Sequence, residues 1–98
     1  MFVIEVFLPI ADANGTQFPI SFFRRAFEEL GDKFGQIDTS AVYRPLRGVG
    51  ATVREIELYR YRFDVPSTDE NQQWLVTWRE EQERQFGESL WMIRYRHD

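Results

Sequence analysis

The chain contains no cysteine, one histidine and one lysine among its 98 residues. The absence of cysteine excludes disulfide bonds and thiolate metal sites, and it leaves the cellular compartment open. The single histidine, His97, is the penultimate residue of the sequence, where chains are often mobile. A metal site and a Ser-His or Cys-His nucleophile are therefore poorly supported. We predict no metal and no cofactor.

No apolar run is long enough to cross a bilayer, so we expect no membrane partner. The N-terminal segment lacks the basic residues of a signal peptide, and Glu5 and Pro9 interrupt its apolar run. We therefore expect a cytoplasmic protein. The formal net charge of −4 argues mildly against a nucleic-acid partner, because phosphate binding normally requires a basic surface.

Aromatic residues are abundant, with nine Phe, four Tyr and three Trp. This number exceeds what one small core needs, so the surplus predicts an apolar surface that a second chain or a ligand covers. Eleven of the twelve basic residues are arginine. Arginine favours fixed, bidentate contacts with carboxylates or phosphates, and most of these charges are expected to pair within the chain.

The hydrophobic pattern predicts the order strand, helix, strand, strand, helix, strand. The longest strand signal is Arg54–Val65, in which polar and apolar residues alternate without Gly or Pro. The second helix begins at a capping box, with Ser67 as the N-cap and Glu70 at N3. The remaining predicted elements are strands Phe2–Leu8, Thr39–Tyr43 and Ser89–Tyr95, and helices from about Pro19 or Ser21 to Phe34 and up to about Phe86.

This order predicts one domain over residues 1–98 with the ferredoxin-like α+β fold: a four-stranded antiparallel sheet with two helices on one face. A series of short motifs runs along the chain: Phe-Leu-Pro, Gly15-x-x-Phe18, Phe34-Gly35, Trp74-x-x-x-Trp78-Arg79, Phe86 and a last strand ending in Arg94. In these motifs the chain resembles a family of uncharacterised bacterial proteins of about this length. The resemblance covers nearly the whole chain and implies the same fold, of the dimeric α+β-barrel type. It brings no catalytic residues.

Side-chain alternation assigns the strand residues to two faces of this sheet. The residues expected beneath the helices are Phe2, Ile4, Val6, Leu8, Ile56, Leu58, Leu90 and Met92. Those expected on the opposite, open face are Val3, Glu5, Phe7, Glu57, Tyr59, Tyr61, Trp91, Ile93 and Tyr95. A bulge in the third strand would swap part of this assignment. We expect the open face to be buried in a homodimer, and a small-molecule pocket lined by the same residues is compatible with it.

Glu5 and Glu57 are the candidate catalytic residues. If the first and third strands are neighbours, both carboxylates lie on the open face within reach of each other. Two close carboxylates among aromatic rings resist double ionisation, so one pKa would rise into the range of a general acid or base. The alternative is that each glutamate pairs with an arginine or reaches solvent.

Three function classes stay open. The first is a binding or scaffold module that uses the sheet face to hold a second copy, another protein or a small anionic ligand. The second is a small isomerase, lyase or cofactor-free oxygenase with Glu5 or Glu57 as proton shuttle and a group of orienting residues: Tyr59, Tyr61 and an arginine such as Arg60 or Arg94. The third is base stacking by Phe7, Tyr59 and Tyr61 as in RNA-recognition domains, which the nearby glutamates disfavour. A weaker signal is Arg47–Gly50, which could cradle an anion but lacks the strand–loop–helix context of a phosphate loop.

Overall fold

The computed structural model describes residues 1–47 and 53–96. Its elements follow the predicted order: β1 Phe2–Pro9, α1 Ile20–Phe34, β2 Asp38–Arg47, β3 Val53–Val65, α2 Asp69–Phe86 and β4 Trp91–Arg96. The four strands form one antiparallel sheet in the order β2-β3-β1-β4. The predicted ferredoxin-like α+β fold is confirmed.

The residues at the helix ends explain where each helix stops and starts. Helix α1 follows Pro19, whose fixed φ suits the approach to a helix. It ends at Gly35, which has a φ of +89° that favours glycine. Helix α2 begins one residue later than predicted, because Thr68 is the N-cap instead of Ser67. The Thr68 backbone is extended and its hydroxyl oxygen accepts a hydrogen bond from the Asn71 N–H at 3.1 Å.

Strand β2 is longer than predicted, since it continues through Pro45 to Arg47. Its pairing with β3 runs without a break from Asp38 opposite Arg62 to Arg47 opposite Val53. Proline is tolerated there because β2 is at the edge of the sheet. Of the anion-binding segment predicted after this strand, residues 48–50 lie outside the described residues, as does His97.

One hydrophobic core lies between the sheet and the two helices. Strand β1 contributes Ile4, Val6 and Leu8, as predicted. The other fully or nearly buried residues of the core are Phe23, Ala26, Leu30, Tyr61, Phe63, Val65, Leu75, Trp78, Phe86 and, just before β4, Leu90. The helices are also joined by a hydrogen bond, in which Trp78 Nε1 donates to Glu29 Oε2 at 2.8 Å. This bond explains how the indole N–H can be buried without being left unpaired.

The face assignment of β3 was wrong. Val6 lies opposite Tyr61 and Ile4 opposite Phe63, and directly opposed residues of antiparallel strands share a face. Glu57, Tyr59 and Tyr61, predicted on the open face, therefore lie on the helix side. Ile56 and Leu58, predicted beneath the helices, lie on the open face. The physical reason is that large aromatic rings fill the space under α1, whereas arginines at the alternate positions can extend into solvent.

Tyr61 is the anchor of β3 beneath α1. Its side chain is 4% exposed, and its hydroxyl donates a hydrogen bond to the Phe23 carbonyl oxygen at 2.9 Å. Burial, with a smaller contribution from neighbouring Tyr59, raises the pKa of Tyr61 to about 12. The neutral hydroxyl is thus the form that the folded state stabilises.

A Tyr61→Phe substitution tests this anchor. We expect the free energy of unfolding at neutral pH to fall by about 1 kcal/mol, because one buried hydrogen bond is lost. Between the ordinary tyrosine pKa of 10.0 and about 12, the unfolded wild-type chain loses the Tyr61 proton while the folded chain keeps it. The free energy of unfolding of the wild type therefore declines through this pH window. The difference in free energy of unfolding between wild type and variant narrows accordingly.

Urea unfolding of both proteins at several pH values measures this gap. Tyr43→Phe is the matched control, because it removes the hydroxyl of a tyrosine that is 64% exposed in the single chain. A gap between wild type and Tyr61→Phe that stays constant above pH 10 would contradict the assignment.

Candidate binding site on the open face of the sheet

We use the term open face for the side of the sheet that the helices do not cover. The strand register assigns these residues to it: Val3, Glu5 and Phe7 of β1; Asp38, Ser40, Val42 and Arg44 of β2; Ile56, Leu58, Arg60, Arg62 and Asp64 of β3; and Trp91, Ile93 and Tyr95 of β4. The face is therefore a mixture of apolar and charged side chains. Val3, Phe7 and Leu58 are nonetheless buried, so the longer side chains of the same face cover them.

The most distinctive feature of the open face is a stacked group formed by Phe7, Trp91 and Arg44. The rings of Phe7 and Trp91 stack with their centroids 4.5 Å apart and their planes inclined by 24°. The guanidinium carbon of Arg44 lies 4.5 Å from the centroid of the Trp91 ring. Although both neighbours lie against it, Trp91 is 44% exposed. The group is a positioned aromatic surface that remains accessible from solvent.

A groove of about 630 Å³ begins at this stacked group. Its lining includes Phe7, Trp91 and Arg44 together with Ile56, Leu58 and the segment after β1. The volume is within the usual range for small-molecule pockets. The groove can accept an apolar group of ligand size next to a fixed aromatic ring.

The wall of the groove on the β1–α1 loop is rigid and acidic. Asp12 Oδ1 accepts hydrogen bonds from the N–H groups of Asn14 and Thr16, both at 2.9 Å. Gly15, with a φ of +83°, completes the turn that this carboxylate holds. Partial burial raises the pKa of the nearby Glu88 carboxyl, and repulsion from Asp12 raises it further. The groove thus has negative groups along one wall and Arg44 at the stacked group.

Glu5 is occupied by an ion pair within the chain. Its Oε1 lies 3.3 Å from Arg60 Nη1, and its side chain is only 14% exposed. Arg62 lies opposite Glu5 in the register; a hydrogen bond with Tyr95, with smaller help from Glu5 and Asp38, raises the Arg62 pKa. The open-face arginines are therefore bound largely to groups of their own chain.

The remaining predicted site residues are distributed over both sides of the sheet. Phe7, Arg60, Trp91 and Ile93 do share the open face with Glu5. Glu57 lies beyond the last paired residue of β1, and its carbonyl oxygen accepts a hydrogen bond from Ile10 at 3.4 Å. The register places its side chain on the helix side, so the two glutamates do not form a pair, although Glu57 is among the residues that line the groove.

Tyr59, Tyr61 and Arg94 also lie outside the open face. Both tyrosines line the space beneath α1, where Tyr59 contacts Phe23 edge to face. Arg94 lies on the helix side, with its guanidinium carbon 4.9 Å from the Phe2 ring centroid.

Arg44 and Leu58 were missed as members of the site. Leu58 was assigned to the wrong face with the rest of β3. Arg44 was placed in a connecting loop because Pro45 follows it. The signal that could have found it is the alternation of Val42 and Arg44, continued past the proline along an edge strand.

Comparison of the chain with protein-family models, with curated proteins and with solved structures finds no match. The resemblance to a bacterial family and the homodimer through the open face therefore stay predictions. Within residues 1–47 and 53–96, no helix is both long and apolar enough to cross a membrane. In the same ranges, no three His, Cys, Asp or Glu residues are grouped so that they could hold a metal ion.

The separation of the two glutamates has a measurable consequence. We expect Glu5→Gln to lower the free energy of unfolding by about 1–2 kcal/mol, because it weakens a half-buried contact with Arg60. Glu57→Gln should change it by less than about 0.5 kcal/mol, because Glu57 is exposed. The double variant should equal the sum of the single variants within about 0.5 kcal/mol.

Urea unfolding of the four proteins at neutral pH measures these differences. A coupling well above 1 kcal/mol between the two substitutions would show that the carboxylates interact after all.

Proposed function

We propose that the protein is a binding module whose open face takes a flat apolar ligand that carries an anionic group. The observation that carries this proposal is Trp91, which is 44% exposed although Phe7 and Arg44 lie against its ring. An exposed, positioned tryptophan at the edge of a groove of about 630 Å³ is the arrangement expected of a recognition surface.

Arg44 provides the polar part of this recognition. A cation–π contact at an exposed site is worth only about 0.5–1 kcal/mol, so a planar ligand can replace the guanidinium over Trp91 at small cost. The released arginine then remains close enough to pair with an anionic group on the same ligand. Phe7 holds the indole in place throughout, since it is 8% exposed and stacked against it.

Competing functions receive less support from the geometry. Base stacking by Phe7, Tyr59 and Tyr61 would need all three rings on one face, but both tyrosines lie beneath the helices. The proposed acid–base catalysis would need Glu5 and Glu57 together, but they lie on opposite sides of the sheet. A ligand site requires neither arrangement.

A second copy on the same face is a less favoured occupant. Face-to-face burial of the sheet was expected because Tyr59 and Tyr61 would have enlarged its apolar area. Arginines at the alternate positions of β3 take their place, and Arg60 is already paired with Glu5. The exposed large aromatic residues of the open face are Trp91 and Tyr95, both on the edge strand β4, and this limited area fits a ligand better than a large flat interface.

Binding of 8-anilinonaphthalene-1-sulfonate tests the proposal, because this probe is aromatic and anionic. We expect the folded protein to enhance its fluorescence, with energy transfer from tryptophan. Trp91→Ala should weaken binding about tenfold, since stacking on an aromatic side chain is worth roughly 1–3 kcal/mol. Trp91→Phe should keep most of the affinity, and Arg44→Ala should abolish its salt dependence.

Val76→Ala is the matched control, because Val76 is a 51% exposed apolar residue on α2. Equal probe affinity in Trp91→Ala and wild type would overturn the proposal, since the probe would then be bound elsewhere. Sedimentation of Trp91→Ala tests the other occupant: a wild-type dimer that this substitution alone dissociates would indicate a second copy on the open face.

A further inference from the structure

Strand β2 is a long edge of the sheet. It has ten residues and pairs with β3 on one side only, with no further strand beside it in the described part of the chain. An unpaired strand edge presents N–H and C=O groups that can pair with another strand. Proteins often block such edges with lysine, proline or a bulge. Here the register with β3 is continuous. Pro45 blocks only the last part of β2, and the segment from Asp38 to Arg44 contains neither lysine nor proline.

Exposed apolar side chains gather along the same edge on the helix side. Ile20 is 74% exposed, Phe27 43% and Tyr43 64%. A groove of about 590 Å³ between α1 and β2 runs past Ile20 and Phe27, with Ala41 and Tyr61 also in its lining. Large apolar side chains clustered in this way are typical of a surface that another molecule covers.

We propose that β2 is the seam of a homodimer, in which the β2 strands of two copies pair antiparallel about Ala41 and join the two sheets into one of eight strands. The two-fold axis is perpendicular to the sheet, because an antiparallel pair of identical edges allows no other orientation. Both pairs of helices then lie on one side of the joined sheet and both open faces on the other. The seam shares only Arg44 with the proposed ligand site and leaves Trp91 and the groove beside it accessible.

The side chains of two paired β2 strands are most complementary in charge and size when the pairing is centred on Ala41. In this register Asp38 of one copy lies opposite Arg44 of the other, so opposite charges meet twice across the seam. On the helix side Tyr43 lies opposite Thr39 of the second copy, so a large side chain meets a small one. A register centred on Ser40 would instead place Asp38 opposite Val42, without a charge partner.

The apolar groove argues for the same occupant. Because the second copy carries the same groove, the joined sheet brings Ile20, Phe27 and Tyr43 of both copies to one junction. Their exposed surfaces then cover each other while the main-chain groups of β2 pair. An unrelated strand would satisfy the main chain but would supply neither the matching charges nor the second apolar edge.

The absence of cysteine allows a direct test, because any introduced cysteine is the only thiol of the chain. Only residues directly opposite each other, with Cα atoms about 4.5–5.5 Å apart, meet the geometry of a disulfide. At the two-fold axis Ala41 lies opposite itself. We therefore expect Ala41→Cys to form a covalent dimer on mild oxidation, at least about tenfold faster than Val76→Cys, an exposed position on α2.

Two further variants test the register. Thr39→Cys alone should cross-link no faster than Val76→Cys, because its two copies would be separated by four residues of strand, about 13 Å. A mixture of Thr39→Cys with Tyr43→Cys should form the mixed disulfide. Ile20→Glu, which leaves β2 itself unchanged, should raise the dimer dissociation constant at least about tenfold in sedimentation.

Ala41→Cys that cross-links no faster than Val76→Cys would overturn the seam. Faster cross-linking of Thr39→Cys with itself would overturn the register. Probe binding to the open face should be retained by Ala41→Cys and weakened about tenfold by Trp91→Ala. Failure of the seam and failure of the ligand site are therefore distinguishable.

Discussion

The pairing of β1 with β3 is the constraint on which the rest of the structure depends. Val6 lies opposite Tyr61, and this places the odd-numbered side chains of β3 beneath the helices. The Tyr61 hydroxyl donates to the Phe23 carbonyl oxygen of α1 at 2.9 Å, so the same residue fixes the helix to the sheet. A register slip of one residue would exchange the two faces of β3 completely. It would bury Arg60 and Arg62 under α1 and expose the aromatic rings, at a large cost in free energy.

That register also determines the chemistry of the open face. With the tyrosines inside, the face carries arginines that are partly neutralised by their own chain, as Arg60 is by Glu5. The exposed large aromatic residues of the open face are then Trp91 and Tyr95 of the edge strand β4. A broad apolar sheet face would favour self-association over its whole area, whereas an accessible aromatic ring beside a groove favours a localised contact. The open face is thus better suited to binding a ligand than to being buried against a second copy of the chain.

The fold and the elements could be predicted because their signals are local. These signals are the alternation in β1, the helical spacing from Phe23 to Phe34 and the glycine after each helix. Each depends only on residues that are close together in the chain. The face of β3 could not be predicted, since Leu58 and Tyr59 are both acceptable core residues and only the partner strand decides between them. The position of Glu57 relative to Glu5 could not be predicted either, because it depends on the register of β1 against β3. The site was predicted in part, through Phe7 and Trp91, because their positions depend on β1 and β4 alone.

Arg44 connects the two proposals. In the single chain its guanidinium lies over Trp91, and in the joined sheet it lies opposite Asp38 of the second copy. One guanidinium cannot make both contacts fully, so formation of the seam draws Arg44 away from the ring and uncovers it for a ligand. By linkage, an uncharged planar ligand that only displaces Arg44 from Trp91 favours the seam, whereas an anionic ligand that pairs with Arg44 competes with Asp38 of the second copy for the same guanidinium. The exposed cation–π contact that is given up is weak, so the expected coupling is small. Its sign depends on the charge of the ligand: if both proposals hold, an anionic ligand that engages Arg44 opposes dimerisation, and an uncharged planar ligand favours it.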